Sequence, residues 1–166
     1  MVEDLISQII NDANPSQVER LDGEDGLIRA FEDTLKIPNT TLLCYGTVKH
    51  QTRALPSIFP NYYAERVKRN ISTRCLIPAD AQSLKECIQN DVAHLRTTRF
   101  IGRETTMPVE INIYGDSVAI MSFEDNFAVI IRSKTVADCM RIIFELAYDS
   151  AKESDIKVRE RFENVF

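Results

Sequence analysis

The stretch from Val109 to Arg132 does most to limit how this chain can fold. Val109–Tyr114, Ser117–Phe123 and Phe127–Arg132 are three runs rich in aliphatic and aromatic residues, separated by Gly115-Asp116 and by Glu124-Asp125-Asn126. Gly, Asp and Asn accept the backbone angles of tight turns, so the runs read as strands of an antiparallel meander. Immediately afterwards Thr135 and Asp138 have the spacing of a capping box, and Val136, Met140, Ile143 and Ala147 recur at helical intervals opposite Asp138, Arg141, Glu145 and Asp149. A long helix that covers the meander is therefore expected.

The N-terminal half has a different rhythm. A brief strand is expected at Val18 to Leu21, then a helix over Gly23 to Lys36 with Glu24 and Asp25 at its positive end and Leu27, Phe31, Thr34 and Leu35 facing inward. Thr41 to Tyr45 is a nearly continuous apolar run closed by Gly46, the pattern of a central strand buried on both faces. A helix over Ser57 to Asn70, with Phe59, Tyr62, Tyr63 and Val67 inward, leads into a strand over Ile71 to Ile77. Asp80 then caps a helix carrying Leu84, Cys87, Ile88, Val92 and Leu95. Strands alternating with helices, followed by a meander, predict an α/β fold: a mixed sheet flanked by helices.

At 166 residues, with 44% apolar and 27% charged residues, the chain has the composition of one soluble globular domain. Residues 16–152 read as that domain. Residues 1–15 carry an amphipathic helix (Leu5, Ile6, Ile9, Ile10) suited to a linker or dimer contact, and residues 153–166 form a charged tail with Val158, Phe162 and Val165 at helical spacing, expected as a detached helix that seeks a partner. No apolar run is long enough to span a bilayer and no export signal is read, so a cytoplasmic protein without membrane contact is expected. Cys44, Cys75, Cys87 and Cys139 are widely spaced without metal-ligand patterning and read as buried reduced thiols. No metal and no cofactor are expected. A net charge of −5 argues against a phosphate backbone being held over the whole surface.

The residues of familiar chemistries are absent. The two histidines, His50 and His94, lie near no nucleophile turn, and the five glycines form no phosphate loop. The acids Glu124 and Asp125 read as turn formers. Arg66, Lys68, Arg69 and Arg74, with Arg96, Arg99 and Arg103, form two basic clusters that hold an anion only if the fold unites them; otherwise they are solvated faces. The chain reads as no enzyme.

The order of elements, the string Glu110-Ile111-Asn112-Ile113-Tyr114-Gly115-Asp116-Ser117-Val118-Ala119-Ile120, the later Val129-Ile130-Ile131 and the helix over Thr135 to Ala151 resemble the C-terminal effector domain of TrmB-type, sugar-responsive transcription regulators. The resemblance spans Val18 to Lys152 and includes Tyr63 to Ile71. It implies a phospholipase-D-like fold, a homodimer, and DNA contact through a winged-helix module that this sequence does not contain. Phospholipase-D chemistry uses an HxKxxxxD signature, and here counting back from Asp116 meets Val109 and Ile111, or Glu110 and Asn112 after a one-residue slip. No register supplies the His and Lys, so the site reads as abandoned for catalysis. A vacated cleft formed by Tyr45, His50, Glu110, Asn112, Tyr114 and Asp116 is the expected place for a sugar or another polar metabolite. The competing reading of the strand residues is the polar face of an edge hairpin, and that of the whole chain is a protein-interaction or dimerisation module without a small ligand.

Overall fold

The computed structural model describes residues 17–102 and 107–163. In chain order they form β1 (Gln17–Asp22), α1 (Gly23–Asp33), β2 (Thr41–Tyr45), α2 (Val48–Ala54), α3 (Asn61–Lys68), β3 (Ser72–Pro78), α4 (Ala81–Asn90), β4 (Arg96–Ile101), β5 (Val109–Tyr114), β6 (Ser117–Ser122), β7 (Phe127–Arg132), α5 (Lys134–Ser150) and α6 (Lys152–Glu163). The seven strands make one sheet in the order β1-β7-β6-β5-β2-β3-β4. β2, β3 and β4 run parallel, as βαβ connections require, whereas β5, β6, β7 and β1 are antiparallel, and β5 joins the two halves by pairing antiparallel with β2. The expected mixed sheet, meander and closing helix are all present. The amphipathic stretch Leu5 to Ile10 lies outside the described residues.

Strand parity divides the core. Leu42, Cys44, Cys75, Ile77, Phe100, Tyr114, Ala119, Met121 and Ile130 point to one face, where Leu27 and Phe31 of α1, Tyr63 of α3 and Leu84 and Cys87 of α4 pack on them. Leu43, Leu76, Ile113 and Val118 point to the other, under Ala137, Phe144 and Tyr148 of α5. α5 is capped by Ser133, whose hydroxyl accepts from the Val136 N–H at 3.3 Å, so the helix starts before Thr135 and the expected Thr135–Asp138 box does not form.

Two departures from the expected elements share one cause. α4 stops at Asn90, where a longer helix was expected, leaving Val92 92% exposed and Leu95 with a left-handed φ of 49°. The Asp91 carboxylate accepts from Arg96 Nε at 2.5 Å, from the Thr98 backbone N–H at 3.1 Å and from Thr98 Oγ1 at 3.1 Å. That set of bonds turns the chain at Asp91 and starts β4, a strand whose polar sequence Arg96-Thr97-Thr98-Arg99 gave no apolar alternation.

β4 is an edge strand, and edges with free backbone groups invite pairing with other chains. α6 covers it. Asp155 Oδ1 accepts from the Phe100 backbone N–H at 3.0 Å and Arg159 Nη2 donates to the Thr98 carbonyl at 2.7 Å, while Val158 and Phe162 pack on the large core. The tail expected to be a detached helix is thus docked on its own domain; its Val165 lies outside the described residues. Asp155→Ala removes an acceptor from Phe100 and an ion pair from Arg159. A loss of about 1–2 kcal/mol in urea unfolding is expected, together with faster amide exchange at Phe100 and unchanged exchange in the meander.

Candidate functional site

Alternation along β5 sends Glu110, Asn112 and Tyr114 to the large-core face and Ile111 and Ile113 to the α5 face. Pairing then builds a row across the sheet: Asn112 lies opposite Cys44, Cys44 opposite Cys75, and Cys75 opposite Thr98. Above this row α2 supplies Val48 and Gln51, and α3 supplies Tyr62, Tyr63 and Arg66. Between them is a cavity of about 30 Å³, also lined by Thr73, Arg96 and Glu110. It has room for roughly one or two waters.

The cavity wall is unusually polar for a core. Glu110 Oε1 accepts from Asn112 Nδ2 at 3.0 Å and from the Cys44 thiol at 3.8 Å. Glu110 Oε2, Asn112 Oδ1 and Thr73 Oγ1 are buried without a hydrogen-bond partner. Burial dominates the electrostatics of Glu110 and pushes its carboxyl up to about 8, with the Asn112 bond opposing. The Cys44 thiol is held well above its usual range by its bond with Cys75, by burial and by Glu110, which leaves it a poor nucleophile. Two guanidinium groups reach the same space. Arg66 donates to the carbonyls of Ile71 (2.5 Å) and His94, and Arg96 is tied to Asp91 and, at 3.3 Å, to Glu86.

Glu110 and Asn112 are the two expected site residues that the fold brings together, in the interior of a central strand and not on an edge hairpin. Tyr114 shares their face but is engaged elsewhere: its hydroxyl donates to Asp33 Oδ2 at 2.6 Å, and Arg132 holds the same carboxylate. Tyr45 points to the opposite face, edge-on to Phe144 with ring centroids 5.3 Å apart. Asp116 is exposed in the β5–β6 turn, and His50 sits in the first turn of α2, where its N–H meets Thr47 Oγ1 at 3.5 Å. These six residues therefore do not line one cleft. The fold brings the two basic clusters together in pairs, one on each face of the sheet. Arg66 and Arg96 face the cavity, whereas Arg74 and Arg99 lie on the other face against Tyr148, 4.4 Å and 4.0 Å from its ring centre, and Arg103 lies outside the described residues.

A second, more open space adjoins the first. Between α2, the start of α3 and α4 lies a groove of about 400 Å³, floored by Val48, Pro56, Phe59, Pro60 and Tyr63 and rimmed by Thr52, Gln82, Lys85, Glu86 and Gln89. That is the size and character of a small-molecule site: an apolar floor with a few polar groups. Val48 and Tyr63 line both spaces, and Gln51 Nε2 donates to the Tyr63 hydroxyl. No apolar periodicity marks α2, and the groove it walls was not read from the sequence. The two glutamines and Lys85, spaced along the outer side of α4, are the signal that was there to be read. Among the described residues no cluster of His, Cys, Asp and Glu is arranged to hold a metal ion, and no helix is long and apolar enough to cross a membrane.

The fold has a counterpart among solved structures. TrmBL2, described as an archaeal chromatin protein whose structure shows a novel mode of DNA binding, superposes on 80% of this chain with a TM-score of 0.58 at 12% identity. The two chains share a fold. The matched part is 51% of TrmBL2, so this chain corresponds to about half of that protein's length. No protein-family model and no curated protein sequence matches the chain. The likeness extends to the fold alone.

Proposed function

We propose that this chain is the non-catalytic, ligand-sensing regulatory domain of a TrmB-like transcription regulator. The observation that carries the reading is the fate of Glu110 and Asn112. With a one-residue slip of the HxKxxxxD register they stand where a phospholipase-D-like enzyme would need His and Lys, and they close on a cavity of about 30 Å³ that admits no phosphodiester. The neighbouring groove of about 400 Å³ does have room for a sugar or another small polar metabolite, with Gln82, Lys85 and Gln89 as its hydrogen-bonding rim. The shared fold with TrmBL2 supports a regulatory setting. DNA contact is assigned to a winged-helix module outside this chain, because an acidic domain with a net charge of −5 is a poor phosphate binder.

Sensing requires that a ligand favour one of two states. Tyr63 is the residue placed to register occupancy: it floors the groove, lines the cavity, bonds to Gln51 and stacks on His94 at 4.6 Å. The test is a thermal-shift screen of monosaccharides, sugar phosphates, nucleotides and amino acids. A ligand at a hundred times its dissociation constant adds about 2.7 kcal/mol, a rise of several degrees for a domain this size. A flat response across the set would favour the protein-interaction reading.

A further inference from the structure

Parallel pairing of β2 with β3 sets Cys44 directly opposite Cys75, and both side chains point to the large-core face. Neighbouring strands lie about 4.8 Å apart, inside the span of about 4.4–6.8 Å between Cα atoms that a disulfide bridges. The two thiols are hydrogen-bonded to each other, and both line the cavity of about 30 Å³. The other cysteines are placed differently. Cys87 is fully buried, with its thiol pushed up to about 12 chiefly by burial. Cys139, expected to be buried, is exposed on α5.

Three features equip the Cys44–Cys75 pair for chemistry. The charges around the two sulfurs are unequal: Cys44 stands against the Glu110 carboxyl, 3.8 Å from Oε1. At Cys75 the bond from Cys44 favours the thiolate and holds it below the usual thiol range; burial opposes, and the charges of Arg96 and Arg66 add to the lowering. Room is left beside the sulfurs. A Cβ at Gly46 would stand 2.7 Å from Cys44 Sγ, so glycine keeps that side of the cavity open. The wall also carries hydrogen-bonding groups that nothing in the fold satisfies, since Glu110 Oε2, Asn112 Oδ1 and Thr73 Oγ1 are buried without a partner. A space for roughly one or two waters, lined by such groups beside a thiolate, fits a hydroxylic molecule of two oxygens.

We infer that Cys44 and Cys75 form a peroxide-reactive dithiol, in which hydrogen peroxide is the small oxidant that enters the cavity and a Cys44–Cys75 disulfide is the product. The Cys75 sulfur attacks one peroxide oxygen, the O–O bond breaks, and Cys75 becomes a sulfenic acid as one water is released. The Cys44 sulfur then attacks the Cys75 sulfur, the S–O bond breaks, and a second water leaves. Two thiols and one peroxide thus give one disulfide and two waters; the sulfurs are oxidised and the peroxide oxygens reduced. In each step the proton of the attacking thiol ends on the departing hydroxide. The Glu110 carboxyl, in contact with Cys44 and pushed up to about 8 by burial, is placed to carry it. The disulfide closes the segment that bears α2 and α3, two walls of the open groove, and so ties oxidation to the shape of that groove.

The full chain with Cys139→Ser, which removes the exposed thiol, is the protein to use. It is treated folded with hydrogen peroxide at neutral pH, quenched with catalase, unfolded in urea with an alkylating agent, and mapped by peptide mass spectrometry. The Cys44 and Cys75 peptides are expected to be joined and Cys87 alkylated, with the pair consumed at least about tenfold faster than Cys87. Adding Cys75→Ser is expected to leave Cys44 alkylated, whereas adding Cys44→Ser stops the reaction at a sulfenic acid on Cys75 that dimedone traps. That asymmetry separates ordered attack from mere access to two thiols. The map of the Cys139→Ser chain decides by itself, whether or not the further serine variants fold. Both thiols still free after peroxide, oxidation of either one without a disulfide, or reaction only after urea has unfolded the chain overturns the dithiol.

Discussion

Glu110→Gln is expected to stabilise the domain at pH 8 by several kcal/mol and to leave it nearly unchanged at pH 4. The parent carboxyl titrates at about 8 in the folded chain against an ordinary value of 4.5, chiefly because burial penalises its charge. Below 4.5 it is protonated in both the folded and the unfolded chain and costs nothing. Between 4.5 and 8 the unfolded chain ionises while the folded chain does not, so stability falls as pH rises, by on the order of 4 kcal/mol at pH 8. Glutamine removes that dependence. Its amide also offers a donor where Asn112 Oδ1 now lacks one, so two facing amides can exchange hydrogen bonds across the cavity. Urea unfolding at pH 5 and pH 8 checks the sign: the parent should lose stability between the two values and the variant should lose much less. Equal losses would mean that Glu110 is already ionised and solvated in the folded protein.

The opposite sign is expected at Asp33. Its buried carboxylate accepts from Tyr114 at 2.6 Å and from Arg132 at 2.9 and 3.0 Å, and Lys36 pairs with it as well. Burial works to raise this carboxyl, but the hydrogen bonds from Arg132, Lys36 and Tyr114 prevail and hold it at about 2 against an ordinary 3.8. Its contribution is therefore complete above pH 3.8 and is lost as pH falls towards 2. Asp33→Ala strands the buried Tyr114 hydroxyl and leaves Arg132 with Glu19 at 3.5 Å, for an expected loss of about 3 kcal/mol at pH 7. Asp33→Asn keeps an acceptor for Tyr114 and should cost about half as much. If alanine and asparagine cost the same, the charge alone matters and the Tyr114 bond is incidental.

These two residues show what was legible in the sequence. Turn chemistry at Gly115-Asp116 and Glu124-Asp125-Asn126 was enough to read the meander, and the apolar run Thr41 to Tyr45 was enough to place β2 in the middle of the sheet. Alternation on β5 also put Glu110, Asn112 and Tyr114 on one face. Which face, and opposite what, depends on β5 pairing with β2, a contact between residues far apart in the chain that no local pattern encodes. Parity alone could have separated Tyr45 from Cys44, since neighbours on a strand point apart. β4 and α2 stayed hidden for lack of apolar periodicity: β4 is held by Asp91 and α6, and α2 is a short helix that buries Val48 and Gln51. Arg66 and Arg96 looked like surface charges and are buried, because the Ile71 and His94 carbonyls and the Asp91 and Glu86 carboxylates wait for them inside the fold.

If this domain senses a small polar metabolite in the α2–α3–α4 groove, the polar rim on α4 must contribute to binding. Isothermal titration of the compound that gives the largest thermal shift, into the parent chain and into a Lys85→Ala, Gln89→Ala double variant, tests it most directly. Both positions are exposed on the rim, so folding should be preserved. Saturable binding by the parent is expected, with a loss of at least about tenfold in affinity, roughly 1.4 kcal/mol, in the variant. Equal affinity for the two proteins would contradict it and place the ligand elsewhere on the fold.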